Sequence, residues 1–449
     1  MKSLTMLIAS LFLIAASACK KFVEVGAPAD RVIAARVFSS DARAISAVSA
    51  IYGNIINGGA SFANSLATAS AALSADELLK FNPSATEQEL MSNEISTANA
   101  NASTLWKSAY ATIYSCNSIL EGLAASFEIS LPVRSQLTGE CKFLRAFSYF
   151  YLVNFFGDVP LVTGTDYRVN ANLQRSAVST FIMEELKAAK DLLPEAYPTA
   201  EKTRPNKWTA AALLARAYLY NKDWQKAETE ATVIIGTGLY TPLQPLTMVF
   251  LKNSKEAIWQ LAPVTGLLRE TSLFRPSGTP AAPQYHLTPA LVAAFENGDG
   301  RRTKWLDSLT YLNTKYYYPG KYKNTGATVT EYYTTFRAAE LYLIRAEARA
   351  QQGNLTGAID DLNTIRGRAG LAPLASSLGA TAVESAIGQE RRVELFAEWG
   401  HRWFDLVRWG KATAVLSPLK PFWQPTDVLY PVPQDEIISN AALTQNPGY

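Results

Sequence analysis

Residues 208–235 read WTAAALLARAYLYNKDWQKAETEATVII, and residues 338–365 read AAELYLIRAEARAQQGNLTGAIDDLNTI. The two segments repeat each other. Each carries an alanine followed by another twelve positions on, Ala215 and Ala227 in the first, Ala346 and Ala358 in the second. Between them each segment breaks, at NKDW and at GNLTG, where Asn, Asp and Gly end one helix and cap the next. Small residues at this spacing let two helices cross with their backbones close together.

That is the pattern of the tetratricopeptide helix–turn–helix, a unit of about 34 residues. Leu214, Tyr218 and Tyr342 take its large apolar or aromatic positions. Working outward, the remaining sequence keeps helical faces and leaves room for two degenerate copies. One face runs through Trp106, Ala109, Tyr110, Ile113 and Leu120. A second follows Pro132 through Leu137, Cys141, Leu144 and Leu152, and stops at Gly157 and Pro160. A third joins Val178, Ile182, Leu186 and Ala189 before Pro194. The fold class is mostly α, two tetratricopeptide-like pairs read directly and about four if both degenerate copies are present, carrying an irregular insertion of loops and short strands.

The insertion is the region 239–330, where Pro and Gly punctuate often, as in RPSGTPAAPQYHLTP and YYYPGKYKNTGATVT. It carries Phe274, Tyr285, Trp305, Tyr311, Tyr316, Tyr317, Tyr318 and Tyr322. Loops on a rigid scaffold are where binding residues concentrate. Trp305, between GRRTK and DS, reads as an exposed stacking platform, with Tyr285, Tyr316, Tyr318 and Tyr322 beside it. Arg301 and Arg302 hold the loop. Phe81 and Asn82, in SADELLKFNPSAT, add an opposite wall.

Composition narrows the function classes. The 449 residues carry a formal charge of +3, with no basic block of the kind nucleic acid requires. Only two histidines, His286 and His401, and no clustered cysteines leave no metal site or cofactor site in view. Cys116 and Cys141 lie in apolar helical faces and read as unpaired core thiols. The N-terminus, MKSLTMLIASLFLIAASAC, has one lysine, a short apolar run and small residues before Cys19. It reads as a secretory leader over 1–18. ASAC resembles a bacterial lipobox, so Cys19 is the expected lipidation site, palmitate or a similar acyl group, at the head of a tether over 19–40. The segment 41–238 then holds the N-terminal helical part, and 331–449 the last repeat with a C-terminal buttress.

In that buttress, ELFAEWGHRWFDLVRWG (394–410) gathers carboxylates, arginines and His401. Placed on one helix, Leu395, Trp399, Trp403 and Leu406 share a side, and Glu394, Glu398 and Arg402 follow at four-residue spacing as intrahelical pairs. No nucleophile or phosphate loop accompanies them, so the stretch reads as structural and the protein as no enzyme, with no catalytic residue.

Four stretches together resemble the SusD/RagB family: FLRAFSYFYLVNFFGDVPLV, LYLIRAEARAQQGNLTGAIDDLNTIRGRAGL, ERRVELFAEWGHRWFDLVRWGKA and LYPVPQDEIISNAALTQNPGY. The resemblance runs from Cys19 to Tyr449. It implies a lipoprotein at the outer-membrane surface that binds a nutrient, an oligosaccharide or in some members a peptide. It also implies a partner, a SusC-like TonB-dependent transporter, on which the protein sits as a lid. Two other classes compete: a secreted all-helical glycoside hydrolase, which needs a carboxylate pair across a cleft, and a repeat scaffold that binds only protein.

Overall fold

The computed structural model describes residues 34–449, apart from 58, 167 and 278–281. The leader, Cys19 and the tether as far as residue 33 lie outside the described residues. Helices α1 (Asp41–Asn57), α2 (Ala100–Ala125), α3 (Leu131–Phe156), α4 (Arg175–Leu192), α5 (Lys207–Tyr220) and α6 (Trp224–Gly236) precede the insertion. Helices α7 (Ala338–Gln351), α8 (Leu355–Ala369), α9 (Ala380–Glu394) and α10 (His401–Arg408) follow it. From α2 to α8 each helix packs on the next in chain order, and α6 packs directly on α7 although the insertion separates them in sequence. α9 then closes the stack against α7 and α8. This is the repeat architecture read from the two quoted segments.

Local chemistry sets the breaks. The Asn206 side chain accepts from the Thr209 amide and caps α5; Asp223 and Asn354 cap α6 and α8 in the same way. Gly157, at φ +74°, ends α3, and Gly370, at φ +81°, ends α8. Ala215, Ala227, Ala346 and Ala358 are all fully buried, so helix crossings do occur at the small residues. Cys116 and Cys141 are free and buried.

α3 from Gly139 onward and nearly all of α5 are buried on every side. A helix apolar all round needs a layer on both faces. One layer is the outer helices; the other is irregular and comes from the insertion, residues 62–92 and the C-terminal segment. The two meet at an aromatic seam. Phe147 on α3 lies 5.3 Å from Trp259 and 5.6 Å from Trp399, and Tyr333 stacks on Trp399 at 4.6 Å between ring centres. Trp259 and Tyr333 belong to β4 (257–261) and β8 (333–337), an antiparallel pair that abuts the N-terminal ends of α5 and α7.

The stretch 394–410 departs from the single helix expected of it. α9 stops at Glu394, and the chain turns through Ala397 (φ +50°), Trp399 (φ +49°) and Gly400 (φ +77°) before α10 starts. Left-handed backbone at a bulky residue is costly, and here it is held by buried contacts. The Trp399 amide donates to Thr68 Oγ1 at 2.9 Å, and its indole N–H to the Thr334 carbonyl at 2.8 Å. The turn also changes the ion pairs. Glu394 binds Arg301, Arg337 and Arg368, Glu398 binds Arg337 and Lys321, and Arg402 binds Asp76. None of these is intrahelical. His401 is buried, and burial, followed by the nearby Arg216, Arg391, Arg337 and Lys321 charges, holds its imidazole well below the usual range. A histidine kept neutral in this way suits packing.

Burial alone would raise the Glu394 carboxyl, but the Arg368, Arg337 and Arg301 guanidiniums outweigh it and hold the group well below its ordinary 4.5. Its folded value is depressed, so its stabilisation is present above the unfolded value and lost as pH falls through the folded one. Glu394→Gln should cost about 3–5 kcal/mol near neutral pH, because it strands buried cations. Melting curves between pH 7 and pH 3 should show the wild type losing stability on acidification more steeply than the variant.

Candidate functional site

Strand β1 (Leu78–Lys80) pairs antiparallel with β5 (Tyr285–Leu287), and the Phe81 amide extends the ladder by donating to the Gln284 carbonyl at 3.1 Å. Alternation along β5 buries Tyr285 and Leu287 and turns His286 to the other face. A second ladder, β6 (Leu306–Tyr311) with β7 (Thr314–Pro319), forms a hairpin closed by Leu312 and Asn313, both at positive φ. Its register sets Leu309 opposite Tyr316 and Tyr311 opposite Thr314, so Tyr311 and Tyr316 share one face. That face meets Phe81. The Phe81 ring lies 5.4 Å from Tyr311 and 5.8 Å from Tyr316, edge-on to both, and His286 lies 5.0 Å from Tyr316.

The four rings form one half-buried platform assembled from segments more than 200 residues apart. At its edge Gln284 accepts from Lys80 Nζ at 3.0 Å, and Asn82, next to Phe81 in the chain, is exposed. Lys80 is itself steadied by Glu87 at 3.5 Å and by the Tyr285 ring at 4.2 Å. Burial pushes the His286 imidazole down despite the Leu287 carbonyl, so it is neutral at pH 7. The Tyr311 and Tyr316 hydroxyls have no protein partner among the described residues. Rings with apolar faces beside neutral donors and acceptors suit a ligand that is itself apolar-faced and hydroxyl-fringed. Among the described residues no group of three His, Cys, Asp or Glu side chains is placed to hold a metal ion.

The structure brings together Phe81 and Tyr316 from the expected binding residues, leaves Asn82 exposed next to Phe81 in the chain, and withdraws the others. Trp305 is no exposed platform: it is 1% exposed, and its indole N–H donates to the Leu246 carbonyl at 2.9 Å. Three cations surround its ring, Lys321 at 4.9 Å, Arg368 at 5.3 Å and Arg337 at 5.7 Å. Tyr285 is buried against Phe274 with its hydroxyl on Glu87 Oε1 at 2.7 Å. Tyr322 is buried too, its oxygen accepting from the Thr334 amide at 3.0 Å. Tyr318 shares the face of Tyr316 but stands at the hairpin's buried base. The reading missed His286, Tyr311 and Gln284 as site residues. Alternation of His286 between two buried neighbours was the available signal.

A SusD-like family model described as "Starch-binding associating with outer membrane" matches residues 46–219, and the SusD family model matches residues 295–424. SusD-like protein P25 of Formosa agariphila is 25% identical over 429 residues, covering 79% of this chain and 81% of the relative. SusD-like protein P2 of the same organism is 28% identical over 422 residues, with 78% and 81% covered. A solved laminarin-binding SusD-like protein aligns with a TM-score of 0.78 at 25% identity, covering 92% of this chain and 100% of the other.

Burial separates core from platform, and substitution should do the same. Trp305→Ala should destabilise the protein by about 3–5 kcal/mol. Tyr316→Ala should stay within about 1 kcal/mol of the wild type. Chemical denaturation of the two variants side by side measures the difference.

Proposed function

This chain belongs to the SusD/RagB family, whose members bind glycans at the outer membrane, and from that premise we propose that it captures an oligosaccharide on the Phe81–His286–Tyr311–Tyr316 platform. The observation that carries the reading is the platform itself. Sugar rings present C–H faces to aromatic side chains and hydroxyls to groups such as Asn82, Gln284 and His286. Glu87, which steadies the platform's edge, is engaged with Tyr285, Ser84 and Lys80, which suits a carrier better than a hydrolase. In this reading the bound glycan passes to a SusC-like TonB-dependent transporter in the outer membrane. Acylated Cys19 confines capture to the cell surface, so the ligand is delivered at high local concentration. No helix among the described residues is long and apolar enough to cross a membrane.

Isothermal titration against a panel of neutral oligosaccharides, β-glucans included, tests the platform. Phe81→Ala and Tyr316→Ala should each weaken binding about tenfold, roughly 1.4 kcal/mol, with little change in melting temperature. Unchanged affinity in both variants would remove the platform from the site; binding of peptides alone would redirect the ligand class. Cys19→Ala should move the protein from the membrane fraction to the soluble one. Mild-detergent purification of the tagged wild type should bring down a β-barrel in near one-to-one amount, held by an interface above about 1,000 Å².

A further inference from the structure

Helices α3, α5 and α7 have a second end, away from β4 and β8. There the C-terminal turns of α3 and α5 and of α10, with the first turns of α4, enclose a cavity of about 260 Å³. Its polar lining is Asn154, Arg175, Ser179, Tyr220, Asn221 and Arg408, with no carboxylate. We propose that this cavity is a second binding site, specific for a small organic carboxylate of single-ring size such as a hexuronate.

Charge is the first reason. Arg175 donates to Asn154 Oδ1 at 2.8 Å, and among the described residues no Asp or Glu oxygen lies within ion-pair distance of its guanidinium. Asp158 is occupied with the Arg175 backbone amide at 2.7 Å. Burial pushes the Arg175 guanidinium below its ordinary value, with Tyr220 and Asp158 acting weakly against it. A half-buried cation without a counter-ion gains most from an anion that can bind it in two-pronged fashion. Arg408, which also lines the cavity, cannot serve this purpose. Its nitrogens are already taken by Glu347 and Asp405.

Unmet hydrogen bonding is the second reason. Ser179 is 7% exposed, faces the cavity, and its hydroxyl has no partner among the described residues. The Tyr220 hydroxyl is buried and unpartnered as well. Asn221 spends its amide N–H on the Ala217 carbonyl and keeps its oxygen free. Phe150 and Val407 add apolar lining. A carboxylate on Arg175, hydroxyls on Ser179 and Asn221, and a C–H face on that lining describe a sugar acid. The volume lies just below the usual range for small-molecule sites, which limits the occupant to about one ring. Tyr220 and Arg408 also line a second cavity of about 360 Å³, together with Trp224, Trp409 and Glu347.

The test uses the wild-type protein titrated with sodium glucuronate, with glucose and with acetate, at matched ionic strength, followed calorimetrically. Saturable binding of glucuronate below about 10 mM, with glucose at least tenfold weaker, is expected. Arg175→Gln should abolish the preference for glucuronate over glucose, and Phe81→Ala should leave it intact, which separates this site from the proposed platform. No binding of glucuronate to the wild type, equal binding of glucose, or an Arg175→Gln variant with unaltered preference would each overturn the proposal. Acetate binding as tightly as glucuronate would overturn the ring specificity.

Discussion

The rest of the structure depends on a pair of buried carboxylates and the cations that surround them. Glu394 and Glu398 are 0% and 5% exposed, and their oxygens are shared among Arg301, Lys321, Arg337 and Arg368. These partners come from different places: Arg301 and Lys321 from the insertion, Arg337 from the end of β8, Arg368 from α8. Taking such charges out of water costs several kcal/mol per ion, and only mutual pairing offsets it. The cluster forms when all its segments arrive together, so it couples the insertion to the repeat stack. The left-handed turn after α9 is the geometric condition, because it aims Glu398 where a continuing helix could not.

Above the ionic cluster sits Trp305, its ring among Lys321, Arg337 and Arg368. This explains why its sequence neighbourhood misled. Charged residues beside a tryptophan ordinarily signal a surface, since Lys, Arg and Asp are rarely buried unpaired. Here Arg301 and Asp299 are buried with it, and Arg301 pairs with Asp299, Glu390 and Glu394. Pairing across long separations leaves no local trace. The repeat stack, by contrast, was legible because its determinants are local: alanines twelve apart, Asn and Asp caps, and glycines that end helices. For α3 the sequence marks one apolar face, through Leu137, Cys141, Leu144 and Leu152, and the burial of its other side shows only with the layer that covers it.

The platform was half legible for a related reason. Period-two alternation assigns a residue to a face of a strand but says nothing of depth along it. Tyr316 and Tyr318 share a face, yet one stands near the hairpin tip and the other at its base, where the hairpin enters the core. Phe81 could be suspected from a loop rich in turn residues. Its meeting with Tyr311 and Tyr316 depends on the pairing of β1 with β5, which joins distant parts of the chain.

The β6–β7 hairpin therefore has a graded tolerance to change. At its base, Leu306, Tyr318 and Pro319 are buried beside the ionic cluster; at its tip, Leu312 is 79% exposed in a two-residue turn. Substitutions at the base propagate into the fold, while those from Leu309 to Tyr316 act on little but the platform. A lineage carrying this scaffold can thus try new recognition surfaces at low cost to folding, and ligand preference should diverge among its descendants faster than the architecture that displays it.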